Sequence, residues 1–235
     1  MKKIKYIFFL AFLTTLFSCG TSSTVSTETE SMNSTVSCTP SEATATYEVT
    51  FNATWSADTH PTDFPANAHF SRLIGGTHKS DVTFWKEGEL ASEGIEAMAE
   101  RGSVTDLTAE INAAIAAGTA ESVLLGSAIA LSPGSTSFTF PITSDYHLVT
   151  LVSMVAPSPD WFVGVESLDL CENDSWVASK TVSLEPYDSG TDSGVTFLSA
   201  DDDTSPAEEI AEITGDPFLN EGSVAPLGTF TFVKQ

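Results

Sequence analysis

Positively charged residues are scarce in this sequence. Nine Lys and Arg residues stand against 32 Asp and Glu residues, which gives a formal net charge of −23 at pH 7. So acidic a surface repels phosphate backbones and anionic lipid, which argues against nucleic-acid binding and against direct adsorption to a membrane. The acidity suits a cation-rich exterior, where a cation bridges the protein to an acidic partner. Solubility in salty surroundings explains the same total, so only the placement of particular carboxylates can indicate a function.

The N-terminal apolar run, residues 7–17, is too short to span a membrane, which takes roughly 20 apolar residues. Lysines precede this run and small residues follow it, which is the pattern of a secretory signal. Residues 16–19 resemble the bacterial lipoprotein box, so we predict a signal peptide over residues 1–19 and lipidation of Cys19. Gly20 stands where an inner-membrane retention signal has Asp, which favours an outer-membrane or cell-surface address. Ordinary signal cleavage beside an incidental cysteine is the alternative.

Residues 20–37 are almost wholly Ser, Thr, Glu and small residues. Such a stretch cannot bury enough apolar surface to offset chain entropy, so it is predicted to be a flexible tether. Residues 38–235 have an ordinary apolar content and a length that suits a single β-sandwich domain.

Cysteine is also rare, since the sequence contains three. If Cys19 carries a lipid, Cys38 and Cys171 remain, and an isolated pair in an exported protein usually forms a disulfide. The bond would close a loop of roughly 130 residues and add on the order of 4–5 kcal/mol in the chain-entropy model. A catalytic thiol is the alternative.

The domain has the pattern of many short strands. Residues 46–55 alternate apolar and polar side chains, which is the period of a half-buried strand. Helical patterns occur at residues 92–100 and in a second segment that ends at Gly118. Further strands are predicted at 82–85, 122–129, 137–142, 147–155, 161–170, 176–184, 194–198 and 228–233. So many strands with so few helices indicate an all-β, antiparallel sandwich.

Two stretches between these elements are predicted to be irregular. Residues 199–222 are polar and read as a solvated acidic loop. Residues 56–81 contain His60, His69 and His78, whose spacing of nine matches no common zinc-ligand pattern. Solvated or capping histidines are therefore expected.

Two Asp-rich loops lie between residues 157 and 194. Asp188 and Asp192 flank a Ser-Gly-Thr segment, so a tight turn can bring both carboxylates to one point, with Gly190 permitting a positive φ. Asp160 precedes a strand and can supply a third carboxylate. Calcium takes roughly six to eight oxygen ligands from carboxylates, carbonyls and water. From spacing alone, a calcium-type site and simple turn caps are both open.

Several blocks, in order along the chain, carry a family resemblance. They are 47–51 (Tyr-Glu-Val-Thr-Phe), 64–71 (Phe-Pro-Ala-Asn-Ala-His-Phe-Ser), 91–95 (Ala-Ser-Glu-Gly-Ile), 157–165 (Pro-Ser-Pro-Asp-Trp-Phe-Val-Gly-Val) and 187–194 (Tyr-Asp-Ser-Gly-Thr-Asp-Ser-Gly). Over about residues 38–233 the chain resembles the spondin N-terminal domain family, here as a single-domain bacterial lipoprotein.

The resemblance implies an eight-stranded β-sandwich similar to calcium-dependent membrane-binding domains. It also implies a divalent cation, usually calcium, held by Asp160, Asp188 and Asp192, and a disulfide between Cys38 and Cys171. Members of the family act in the extracellular matrix and in cell adhesion. No thrombospondin-type repeats follow the domain here, so activities that depend on such repeats are not expected.

The leading hypothesis is a surface-anchored, calcium-binding module, not an enzyme, for adhesion or extracellular ligand recognition. Its partner would be a protein or a glycan, and its membrane contact would be through the lipid anchor. A metal-dependent hydrolase with His60 or His69 as base is an alternative, although the sequence shows no nucleophile elbow, paired-histidine helix or phosphate loop. A further alternative is that the ion is purely structural.

Overall fold

The computed structural model describes residues 38–235, in which β-strands predominate. Helices occur at α1 (Glu93–Arg101) and α2 (Thr105–Ala117), with a 3-10 turn at Ser144–Tyr146. The predicted signal peptide, lipidated Cys19 and tether lie outside these residues. In chain order the strands are β1 (Thr44–Ala53), β2 (His69–Phe70), β3 (Ile74–His78), β4 (Ala120–Leu125), β5 (Gly134–Thr143), β6 (Leu148–Ala156), β7 (Trp161–Asp169), β8 (Cys171–Glu172), β9 (Ser175–Trp176), β10 (Ser179–Leu184), β11 (Tyr187–Asp188), β12 (Ala211–Glu212), β13 (Leu219–Asn220), β14 (Ser223–Val224) and β15 (Gly228–Lys234).

The larger strands form two antiparallel sheets. The first has the order β10–β15–β1–β5, and the second has the order β12–β11–β7–β6–β3–β4, with β2 also pairing with β6. Of the strands in residues 38–235, eight contain five or more residues, four in each sheet. The all-β, eight-stranded sandwich predicted from the sequence is therefore confirmed.

The main core lies between the two sheets. Strand β1 alternates as its sequence predicts, with Tyr47, Val49 and Phe51 fully buried. These side chains meet Val149 and Val163 of the second sheet in one apolar cluster. Each large side chain buried in this way contributes about 1.5–3 kcal/mol of transfer free energy, so alternation in the sequence is enough to fix which face turns inward.

A second core lies on the other face of the second sheet, under the helices. Ile95 and Met98 of α1 and Ile111 of α2 are fully buried against it. Strand β6 is covered on both faces, and all nine of its residues are buried. The apolar stripe predicted for the second helix is therefore core packing, as expected.

Strand β3 contradicts the prediction that residues 56–81 are irregular. Its sequence, Ile-Gly-Gly-Thr-His, does not alternate, yet all five residues are buried between β4 and β6. A Cβ atom at Gly75 would lie 1.9 Å from the carbonyl oxygen of Thr150. Glycine here permits close approach of two strand backbones, a use that a sequence pattern does not distinguish from a loop.

Three other predictions need correction. Residues 82–85 and 194–198 are not strands, although Trp85 and Phe197 place buried aromatic side chains in the two cores. The stretch 199–222 is only partly a solvated loop, because Ile210 and Phe218 are buried and short strands β12 to β14 form within it. Residues 201–203 are exposed, as predicted.

The predicted disulfide joins Cys38 and Cys171, whose Cα atoms are 6.1 Å apart across a sequence separation of 133. It links the start of the described chain to the residues just after β7. In residues 38–235, neither helix has the length and apolar content needed to cross a membrane.

Candidate cation site

The two Asp-rich loops meet at one edge of the second sheet. Strand β7 begins directly after Asp160, and β11 pairs with that end of it, with Asp188 opposite Trp161. The backbone N–H of Ser189 donates to the carbonyl oxygen of Asp160 at 3.2 Å. Strand pairing therefore brings residues 28 and 32 positions apart in the sequence into one site, since Asp188 and Asp192 lie in the second loop.

Asp160 is the centre of the arrangement. Its side chain is fully buried, and its Oδ2 accepts hydrogen bonds from the backbone N–H groups of Thr191 (2.8 Å) and Asp192 (3.0 Å) and from the hydroxyl of Ser189 (3.0 Å). Its Oδ1 is buried and has no hydrogen-bond partner. A buried carboxylate oxygen without a donor is costly, and this atom retains its capacity to accept a further partner.

Asp188 and Asp192 both close turns in their own loop. Oδ1 of Asp188 accepts from the N–H of Gly190 (2.8 Å), which has a φ of 75°, and Oδ1 of Asp192 accepts from the N–H of Gly194 (2.7 Å). Their second oxygens accept from the Trp161 indole (3.2 Å) and from the N–H of Asp202 (3.0 Å). The turn-cap alternative thus describes what these side chains do, and it leaves cation binding open because each carboxylate oxygen has two lone pairs.

The charge of Asp160 contributes to a raised pKa in two neighbouring carboxylates, Asp188 and Glu100. Burial and then the charge of Asp160 raise the pKa of Asp188 to about 6, against hydrogen bonds from Gly190 and Trp161 that lower it. Such repulsion in a half-buried site favours either a proton or a cation.

Glu100 belongs to this cluster and was missed by the sequence prediction. Burial raises its pKa, a hydrogen bond with Thr191 lowers it, and the charges of Glu96 and Asp160 raise it further, while Arg101 opposes them. Its side chain is only 7% exposed. One signal was available, because an acidic residue in the last turn of α1 opposes the helix dipole and requires compensation from elsewhere.

Whether these residues suit calcium can be judged from their chemistry. All are carboxylates, the hard oxygen ligands that calcium prefers, and one buried oxygen has no donor. Within residues 38–235, however, no three His, Cys, Asp or Glu side chains are gathered as a complete ligand set. Their oxygens are instead turned toward N–H groups of the loops. Calcium binding by Asp160, Asp188 and Asp192 therefore stays a prediction.

Comparison with known proteins identifies the fold family. A family model described as Spondin_N matches residues 45–223, a range that contains the three aspartates and Glu100. The chain belongs to the spondin N-terminal domain family. Human Spondin-2 is 40% identical over 176 residues, which are 73% of this chain and 53% of that protein. Rat Spondin-2 is 36% identical over 203 residues (81% and 62%), and rat Spondin-1 is 38% identical over 181 residues (73% and 22%).

The spondin domain of this chain thus corresponds to only part of each relative. It spans about half of human Spondin-2 and less than a quarter of rat Spondin-1. The similarity establishes the domain and its fold, whereas activities of the whole relatives do not transfer with it.

The candidate site of the spondin domain opens to solvent on one side. A hollow of about 500 Å³ is lined by Asp188, Asp192, Thr204 and Glu208, among other residues. Asp160 and Asp192 are 0% and 5% exposed, whereas Asp188 is half-buried. An ion bound here would reach solvent or a partner through this hollow.

Of the three histidines predicted to be solvated or capping, His60 and His78 are not solvated but buried, and ring nitrogens of all three lie beside backbone carbonyl oxygens. His60 is fully buried, with Nε2 2.9 Å from the carbonyl oxygen of Ala225. His78 is also fully buried, with Nε2 2.9 Å from Oγ1 of Thr150. Burial lowers the pKa of both. His69 is partly exposed, and its Nδ1 lies 2.7 Å from the carbonyl oxygen of Asn67, two residues earlier.

Proposed function

We propose that this chain is a surface-anchored spondin module that binds a divalent cation, calcium in the first place, for adhesion or extracellular ligand recognition. Asp160, Asp188 and Asp192 would hold the ion, with Glu100 as a further carboxylate. Loop carbonyls and water would complete the six to eight oxygens that calcium takes, roughly, in proteins. The anchor in this proposal is a lipid on Cys19.

The unpartnered Oδ1 of Asp160 is the observation that carries the proposal. It lies in the interior, next to carboxylates whose pKa its charge raises. A bound cation would supply the missing partner and offset the repulsion at the same time.

The residues of the chain would couple such an ion to the loops. Asp160 holds the backbone of Thr191 and Asp192 through Oδ2, and Asp192 holds Gly194 and Asp202. Any shift of these carboxylates is therefore transmitted to the exposed loop that carries Val195 and Leu198, which are 76% and 79% exposed.

A purely structural ion is a second candidate, supported by the burial of Asp160 and Asp192. The two possibilities differ in one respect. A structural ion changes stability alone, whereas a recognition ion also changes ligand binding, which requires access through the hollow beside Asp188.

The hydrolase alternative loses one of its two candidate bases, because His60 is buried whereas His69 is partly exposed. His60, which it would use as base, is fully buried, and its Nδ1 and Nε2 lie 2.9 Å from Oγ1 of Thr59 and from the carbonyl oxygen of Ala225. A base in that position has no path to substrate.

The first test is a melting curve with calcium and with chelator. At a calcium concentration of one hundred times Kd, we expect about 2.7 kcal/mol of added stability. The pair Asp188→Ala and Asp192→Ala should abolish that gain. Asp201→Ala with Asp203→Ala removes the same charge from exposed positions of the nearby loop and should keep it. Equal melting temperatures with calcium and chelator in the native chain would refute the proposal.

The second test separates recognition from a structural role. The native chain and the Asp188→Ala, Asp192→Ala variant are applied to a glycan and extracellular-protein array, first with calcium and then with chelator. Calcium-dependent binding lost in the variant supports recognition. A calcium-dependent melting temperature without any calcium-dependent ligand would leave the structural role.

A further inference from the structure

A groove separate from the candidate cation site lies between the edges of the two sheets. Strand β10 is the terminal strand of the first sheet. Strand β7 pairs with β6 along one edge, and along its other edge it pairs with β11, within residues 38–235, only at Trp161 and Phe162. The remaining edge of β7 and the edge of β10 border an opening of about 210 Å³. Unpaired strand edges are places where a segment of another chain can dock.

The floor of the groove is apolar and held in place. Val182 of β10 and Val165 of β7 line it, together with the rings of Trp85 and Tyr187. The two rings meet edge-to-face with centroids 5.0 Å apart, and the Trp85 indole donates to the carbonyl oxygen of Val165 at 3.3 Å. The floor is therefore preformed rather than a gap between mobile side chains.

Three carboxylates, of Glu87, Glu166 and Glu185, stand around this floor. Burial raises the pKa of Glu166, and Glu87 and Glu89 raise it further against the opposing charge of Lys86. Lys86 itself lies 3.5 Å from Glu89. Burial and then the charge of Glu212 raise the pKa of Glu185. The rim of the groove therefore carries an excess of negative charge, and its floor is apolar.

We infer that this groove binds the side chain of a lysine or arginine that an extended segment of a partner protein presents. Its volume is below the roughly 300–1,000 Å³ of small-molecule sites, and it suits a single long side chain. The aliphatic stem would cover Val165 and Val182, and the cationic head would lie among the carboxylates beside the Tyr187 ring. Charge complementarity is what identifies the occupant.

This surface is distinct from the candidate cation site, with Glu212 of the cation-site hollow acting on it only through the pKa of Glu185. Tyr187 lines the groove and the next residue, Asp188, belongs to the candidate cation site, so the alternating side chains of β11 serve the two separately. Binding of a basic segment is therefore expected in chelator, where the proposed calcium function is absent.

The test uses fluorescein-labelled heptapeptides of alternating Thr and Val with Arg, Lys or Gln at the centre, measured by anisotropy in EDTA at physiological salt. The full-length protein is used. The Arg and Lys peptides should bind at least about tenfold more tightly than the Gln peptide. Glu166→Gln with Glu185→Gln should weaken the Arg and Lys peptides by about tenfold.

The matched control is Asp106→Asn with Asp145→Asn, which removes the same charge from exposed positions on α2 and on the 3-10 turn. It should change binding by less than about twofold, because distant exposed charges are screened. Ser183→Arg, at an exposed position on the groove, should fill it and abolish binding. Equal weakening by both double variants would show attraction by net charge alone and overturn the inference. Equal affinities for the Arg and Gln peptides would also overturn it. So would sedimentation that shows the native chain to be a dimer and the Ser183→Arg variant to be a monomer, because a second copy would then occupy the groove.

Discussion

Strand β7 has an aspartate at each end, and the surroundings of the two differ. At its C-terminal end, Oδ1 of Asp169 lies 2.8 Å from Nδ1 of His147 and 2.7 Å from the backbone nitrogen of Cys171, which forms the disulfide with Cys38. Before its N-terminal end, Asp160 is fully buried, leaves Oδ1 without a donor and raises the pKa of its neighbours. The chain supplies partners at one end of the strand and leaves an oxygen open at the other.

The difference shows that a carboxylate's sequence context does not reveal its role. Asp160 precedes the strand, Asp169 is its last residue, and both accept hydrogen bonds from backbone N–H groups. At one end of the strand the aspartate is paired with a histidine beside a covalent bond, whereas at the other end the charge of Asp160 raises the pKa of neighbouring carboxylates.

Opening the covalent end should have the largest effect. Cys38→Ser with Cys171→Ser is expected to lower the free energy of unfolding by about 4 kcal/mol, because the unfolded chain regains the freedom of a long loop. Urea denaturation measures it, with the reduced native chain as a second route to the same state. The loss should be equal with calcium and with chelator if the two ends of β7 are independent. A loss of stability that differs between calcium and chelator would show that the two ends of β7 are coupled.

Substitution of Asp160 should change the response to calcium, whereas substitution of Asp169 should not. Asp169→Asn is expected to cost about 2 kcal/mol in either condition, since it weakens a hydrogen bond of a charged group with His147. Asp160→Asn should change stability little in chelator, because the amide oxygen can still accept from Thr191 and Asp192, but should remove the gain from calcium. Melting curves of both variants in both conditions measure this. A calcium gain retained by Asp160→Asn would contradict the assignment of Oδ1 as a ligand.

The smallest effect should be a pH dependence due to Asp188. Its pKa in the folded chain is about 6, above its ordinary value, so the contribution it makes to stability is present below about pH 4 and is lost as pH rises through about 6. In chelator, Asp188→Asn should remove that decline from the stability profile. Calcium competes with the proton, so the gain from calcium should be larger at pH 7.5 than at pH 5.

The profile of Asp203→Asn, at an exposed position of the acidic loop, is the control for general charge effects. Parallel profiles for the native chain and Asp188→Asn between pH 4 and 7 would show that Asp188 titrates normally.

Alternation and turn residues were enough to predict most of the sandwich. Strands β1, β5, β6, β7, β10 and β15 fall within the apolar segments that predicted them, because at least one face of each packs on a core and both faces of β6 do. Strand β3 was not predicted, because the need for glycine at Gly75 becomes evident only from the close approach of the Thr150 backbone. The prediction of a strand at 194–198 was wrong. Phe197 is buried although it lies in a loop, and the spacing of apolar residues does not distinguish such a loop from a strand.

The candidate site was predictable in its aspartates and not in its surroundings. Asp160, Asp188 and Asp192 lie in the blocks that resemble the family, and β7–β11 pairing brings them together. Glu100 lies on a helix far away in the sequence, and only packing of α1 against the second sheet joins it to them. The acidic groove also depends on two sheet edges that no local pattern juxtaposes.

The hydrogen bond from the Trp161 indole to Oδ2 of Asp188, at 3.2 Å, gives the molecule an intrinsic optical reporter. Indole emission is sensitive to the charge and polarity at its ring nitrogen, and Trp161 is 2% exposed. Protonation of that carboxylate, or its engagement by an ion, would therefore register in the fluorescence of the unlabelled protein.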